Sequence, residues 1–92
     1  MAPGEIVIIN DKGLTSIQAF PEHKKHSFCI FEYVYFARPD SIINGRSVYE
    51  VRKEMGRQLA REHKVEADLV VPVPDSGVAS ARGFADELSL PY

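Results

Sequence analysis

Leu69-Val70-Val71-Pro72-Val73-Pro74-Asp75-Ser76-Gly77 is the stretch whose reading decides the fold. Leu69, Val70 and Val71 begin a short buried strand, but Pro72 and Pro74 cannot donate to a sheet ladder, so the chain leaves the sheet there. Beyond the loop, Val78, Ala81, Ala85 and Leu88 recur at helical spacing. Ala79, Ala81 and Ala85 offer small surfaces for close packing on a sheet. The order strand, loop, helix predicts an α/β architecture, a mixed α+β arrangement in which residues 74–77 lie at the carboxyl end of a strand. Open α/β sheets bind ligands at that place. Free N–H groups and the helix dipole favour an anion there, Gly77 permits close backbone approach, and Ser76 offers a hydroxyl to a phosphate or a metal. The plainer reading, favoured on the motif alone, is that Asp75 or Ser76 caps the helix and Gly77 only turns the chain.

Upstream, Ser47 and Glu50 stand in the S-x-x-E relation of a capping box and predict a helix from Ser47 to about His63. Val48, Val51, Met55 and Leu59 form its apolar stripe, with Arg52, Lys53, Glu54, Arg57 and Arg61 on the remaining faces. Arg38-Pro39-Asp40-Ser41 and Asn44-Gly45 supply turn chemistry. Phe28 to Phe36 packs aromatic and β-branched residues almost without a break and predicts a strand covered on both faces. Pro21 to Ser27 reads as a polar connector. Before it, Glu5 to Ile9 and Leu14 to Phe20 flank Asn10-Asp11-Lys12-Gly13 and predict a hairpin.

The 92 residues, 45% hydrophobic and 26% charged with a net charge of -2, describe at most one small globular domain with no general attraction for nucleic acid. No stretch of about 18 apolar residues is present, and no leader pattern marks the N-terminus. These features point to a cytoplasmic protein with no membrane or nucleic-acid partner. Cys29 is the one cysteine. It reads as an inert core thiol, a nucleophile or a metal ligand, the first being favoured for a lone cysteine among aromatics. His23, His26 and Cys29 are spaced by three, but a loop running into a strand would not align them on zinc, and solvated histidines beside Lys24 and Lys25 are the plainer reading. Glu32, the one charge in its strand, calls for a partner, and Arg38 is the nearby candidate. His63 suits a helix C-terminus and needs no catalytic role.

The string Cys29-Ile30-Phe31-Glu32-Tyr33-Val34-Tyr35-Phe36-Ala37-Arg38-Pro39-Asp40-Ser41 resembles a signature of the amidophosphoribosyltransferases. Pro3 to Ile9 resembles the last hairpin of that family's N-terminal-nucleophile glutaminase domain, and Val48 to Glu62 resembles the helix leading into its type I phosphoribosyltransferase domain. The resemblance implies that residues 1–40 are the C-terminal end of the glutaminase domain and 41–92 the N-terminal part of the transferase domain. It implies a parent enzyme that makes 5-phosphoribosylamine from glutamine and phosphoribosyl pyrophosphate, the first committed step of purine synthesis, as a homo-oligomer. Ammonia released in one domain would pass internally to displace pyrophosphate in the next. Asp75, Ser76 and Gly77 would form the pyrophosphate loop, with Ser76 at the magnesium site. In the family's iron-sulfur branch Cys29 would be one of four thiolates on a [4Fe-4S] cluster, which this chain cannot complete alone. The family's catalytic cysteine is expected before Met1 and its acidic Asp-Asp phosphoribosyl loop after Tyr92, so the isolated chain is expected to be inactive. The alternatives are a free-standing α/β interaction module and a piece of another type I phosphoribosyltransferase.

Overall fold

Asn10-Asp11-Lys12-Gly13 reverses the chain within two residues. The Lys12 N–H donates to Asn10 Oδ1 at 2.9 Å, and Gly13 takes a φ of 113°, open to a residue without Cβ. Strands β1 (Glu5–Asn10) and β2 (Gly13–Gln18) consequently form the predicted hairpin, pairing antiparallel with Glu5 opposite Gln18 and Asn10 opposite Gly13. The computed structural model describes residues 1–20 and 27–92. His23 and His26, with the zinc alternative built on them, and most of the polar connector lie outside the described residues.

The predicted strand over Phe28 to Phe36 does not form. The chain instead winds into one π-helical turn, Glu32–Phe36. Glu32 N–H donates to Cys29 O at 3.2 Å, Tyr33 and Val34 both donate to Ile30 O, and Ala37 closes the turn on Glu32 O at 3.0 Å. Aromatic and β-branched residues favour strands because they fit a pleated, half-buried surface. No strand runs beside this segment among the described residues, so local hydrogen bonding prevails. Tyr33 is the turn's buried residue. Its ring meets Phe28 at 5.1 Å, and its hydroxyl donates to Ile43 O at 2.6 Å.

Two short strands follow, β3 (Ile42–Ile43) and β4 (Arg46–Ser47). They are joined through Asn44 and Gly45, both at positive φ, the backbone a two-residue hairpin needs. Ser47 then caps helix α1 (Val48–Glu62), its Oγ accepting from Glu50 N–H, and His63 closes the helix as predicted. Val48 and Val51 bury against Tyr33, with Ala37, Ile43 and Met55 packed around them. The predicted stripe holds for these positions, but Leu59 is exposed. The buried face runs on instead through Gly56 and Ala60.

The predicted strand at Leu69 to Val71 is also absent, and Val71 is 72% exposed. Val70 N–H donates to Pro91 O, a single bond that starts no ladder. A strand persists only where a neighbour takes its backbone groups, and none is present among the described residues. Helix α2 (Val78–Leu88) forms as predicted, but it packs on α1 and not on a sheet. The helices approach so closely that a Cβ at Gly56 would lie 1.9 Å from Ser80 O and one at Gly83 1.9 Å from Lys53 O. The result is a mixed α and β fold of two small antiparallel sheets and a tight helix pair.

Candidate functional site

Arg52 lies on the inner side of α1 and is 4% exposed, although the helical pattern assigned it to a polar face. A buried guanidinium needs its donors satisfied. Among the described residues backbone carbonyls do this in place of a carboxylate. Nε donates to Tyr33 O, and Nη2 donates to Ala37 O at 2.8 Å and to Glu32 O at 3.5 Å. Carbonyls at the end of a helical turn lack partners within it, so the arginine supplies the missing donors. The signal in the sequence is that Arg52 follows Val51 and stands four residues after Val48, inside the buried arc.

Beside Arg52 a cleft of about 490 Å³ opens between the aromatic turn and the loop before α2. It is bounded by Tyr35, Phe36, Arg38, Pro39 and Arg52 on one side and by Pro74, Asp75 and Ser76 on the other. Two of the three predicted loop residues, Asp75 and Ser76, thus reach the cleft wall. Gly77 sits behind them as the N-cap of α2, and no side chain caps that helix. The plainer reading thus fails for Asp75 and Ser76, which do not cap the helix, and holds for Gly77, which turns the chain. A Cβ at Gly77 would come within 2.8 Å of Val73 O, so the tight loop requires glycine there. The Pro74–Asp75 peptide is cis. The cleft therefore has a basic wall and a loop of oxygen donors at a helix N-terminus, an arrangement suited to an anion with a bound hard cation.

Other predicted residues fall elsewhere. Glu32 does not pair with Arg38. Arg38 instead grips Asp40 at 2.7 Å and holds its carboxyl below the usual aspartate value, because the two are neighbours across one turn. Cys29 is a free, exposed thiol and not a core residue, since the strand that would have buried it is absent. Among the described residues no group of three or more His, Cys, Asp or Glu is placed to hold a metal ion. One cysteine does not fit a [4Fe-4S] centre, whereas the hydroxyl of Ser76 is an oxygen donor of the kind magnesium takes. No helix among the described residues is long and apolar enough to cross a membrane.

No family model matches the chain. It is similar to the amidophosphoribosyltransferase of Archaeoglobus fulgidus, with 54% identity over 98% of the chain and 20% of that protein. The amidophosphoribosyltransferase of Pyrococcus horikoshii is 50% identical over 100% of the chain and, again, 20% of the relative. Among solved structures it resembles the glutamine phosphoribosylpyrophosphate amidotransferase from B. subtilis complexed with ADP and GMP. That match has a TM-score of 0.76 and 47% identity, covering 97% of this chain and 19% of the other. A second structure, described as the allosteric regulatory enzyme of purine biosynthesis, matches equally, at a TM-score of 0.76. The chain thus spans about a fifth of the length of the relatives it matches.

Proposed function

We propose that this chain, homologous along its length to amidophosphoribosyltransferases, forms the seam of such an enzyme, residues 1–40 closing a glutaminase half and residues 41–92 opening a phosphoribosyltransferase half. The carrying observation is the 54% identity maintained across 98% of the chain. The whole enzyme would convert glutamine and phosphoribosyl pyrophosphate into 5-phosphoribosylamine, in the cytoplasm and as a homo-oligomer.

The geometry supports a division of labour within the seam. Asp75, Ser76 and Gly77 would receive the pyrophosphate, with Gly77 letting the loop turn tightly and the N-terminal end of α2 favouring negative charge. Ser76 would hold magnesium, which when bound neutralises diphosphate charge as the leaving group departs. Arg38 and Arg52 add positive charge on the opposite wall. The chain spans about a fifth of its relatives' length, and alone it is expected to turn over neither substrate.

A graft tests this. The matching fifth of the Archaeoglobus relative is replaced by these 92 residues, and glutamate release dependent on phosphoribosyl pyrophosphate is measured. Activity near that of the parent is expected, and Ser76→Ala in the graft should raise the magnesium concentration needed. A folded, inactive graft would sink the assignment.

A further inference from the structure

The aromatic turn and the Pro74–Gly77 loop face each other across the cleft without a shared backbone bond. Arg52 is connected to both. Its guanidinium holds the carbonyls of Tyr33 and Ala37. Its own carbonyl accepts from Ser80 Oγ at 3.1 Å, and Ser80 lies in the first turn of the helix that the loop feeds. The contact is close because Gly56 and Gly83 let the helices meet backbone to backbone. The Ser80 bond uses the backbone carbonyl and so ties helix to helix whatever stands at position 52; the guanidinium itself holds the turn carrying Tyr35 and Phe36 and forms the cleft wall beside Pro74, Asp75 and Ser76.

From this we infer that Arg52 is a positioning residue, one that fixes the aromatic turn and the Asp75–Gly77 loop relative to each other so that the two halves of the seam move together. A charge-assisted donor shared by two carbonyls suits this role. It is directional, and removal leaves both acceptors unpaired and the turn without its C-terminal partner. Lysine could offer one donor in place of the fork. The consequence for substrate affinity rests on the enzyme reading above; the mechanical link does not.

Hydrogen exchange on the full-length enzyme carrying these residues distinguishes the two, comparing wild type with Arg52→Gln, Arg52→Lys and Ser80→Ala. Arg52→Gln should accelerate exchange roughly tenfold or more in residues 31–37, at least the factor for one lost charge-assisted hydrogen bond, and by a smaller factor in 73–79, which lose a packed wall, while residues 5–18 keep their rates. Arg52→Lys should fall between. Ser80→Ala should loosen 73–79 alone. In steady-state kinetics Arg52→Gln should raise KM for phosphoribosyl pyrophosphate more than it lowers kcat, with partial rescue by lysine. Acceleration confined to 31–37 in Arg52→Gln, acceleration spreading to the hairpin, or an unchanged loop in Ser80→Ala would each overturn the link. If the exchange pattern holds but wild type shows no turnover of phosphoribosyl pyrophosphate, the enzyme reading fails and the link stands.

Discussion

At Gly56 and Gly83 a methyl group has nowhere to go. Alanine in the middle of a helix ordinarily gains about 1 kcal/mol over glycine. Here its Cβ would stand 1.9 Å from a carbonyl oxygen of the facing helix, and backbone cannot swing aside as a side chain can. Overpacking of side chains costs about 1–3 kcal/mol and more where the neighbour is rigid, so Gly56→Ala and Gly83→Ala should each destabilise the chain by at least about 3 kcal/mol. Urea unfolding followed by circular dichroism measures this, and an alanine variant as stable as wild type would show that the helices do not cross so closely. The sequence conveyed little of this crossing. Gly83 sits among alanines that promise close packing, but nothing in the spacing says against what. Arg52 was harder still, because periodicity counts an arginine as polar whatever it touches. Its partners lie fifteen to twenty residues upstream, in a turn that pattern reading took for a strand.

Among the elements, those with local start and stop signals are the ones the sequence places correctly. Asn10 and Gly13 turn the first hairpin, Ser47 caps α1, and Asn44 and Gly45 make a turn as read, though the two short strands flanking it have no such signal. Each works through atoms within a few residues. The two strands read from apolar runs, at Phe28 to Phe36 and Leu69 to Val71, depend on neighbours that the described residues do not supply. The site follows the same division, since the loop at Asp75 to Gly77 was legible and the wall opposite it was not. Within and between α1 and α2 the ion pairs carry a testable pH dependence. Lys53 hydrogen-bonds Asp86 at 2.8 Å, with Arg82 and Arg57 nearby, and holds its carboxyl below the usual 3.8. Arg61 does the same for Glu87, and Arg57, with Arg61, for Glu54, below the usual 4.5. A carboxyl lowered in the folded state contributes stability above its unfolded value and loses it as pH falls through the lowered one. Melting temperature should therefore hold from pH 7 to about 5 and decline below the ordinary carboxylate values. Asp86→Asn should flatten part of that decline and lower stability slightly at pH 7, and added salt should shrink the difference, since these pairs are solvent-facing. An acid limb identical in Asp86→Asn would exclude Asp86 from it.

On the scale of the whole molecule, 45% hydrophobic composition is that of any globular protein, yet the chain does not close around a core of matching size. Its radius of gyration is 19.3 Å, against roughly 12 Å for a compact domain of this length. Ile9, Leu14, Phe31, Phe36, Val71 and Val73 are all more than half exposed. Composition reports how much apolar surface a chain owns, not whether the same chain covers it. In the enzyme reading the remaining four-fifths would cover these residues. In the 92-residue chain they meet water, and apolar patches beside unpaired strand edges associate. Light scattering on the isolated chain at high concentration should therefore give a mass above the monomer's 10.3 kDa. Ile9 and Leu14 face each other across the hairpin, so Ile9→Lys with Leu14→Lys should lower the mass by placing two like charges on an exposed apolar pair. The association should survive salt, because apolar burial is not screened as ion pairing is. A monomer at every concentration would mean that the exposed faces fold back on each other in solution.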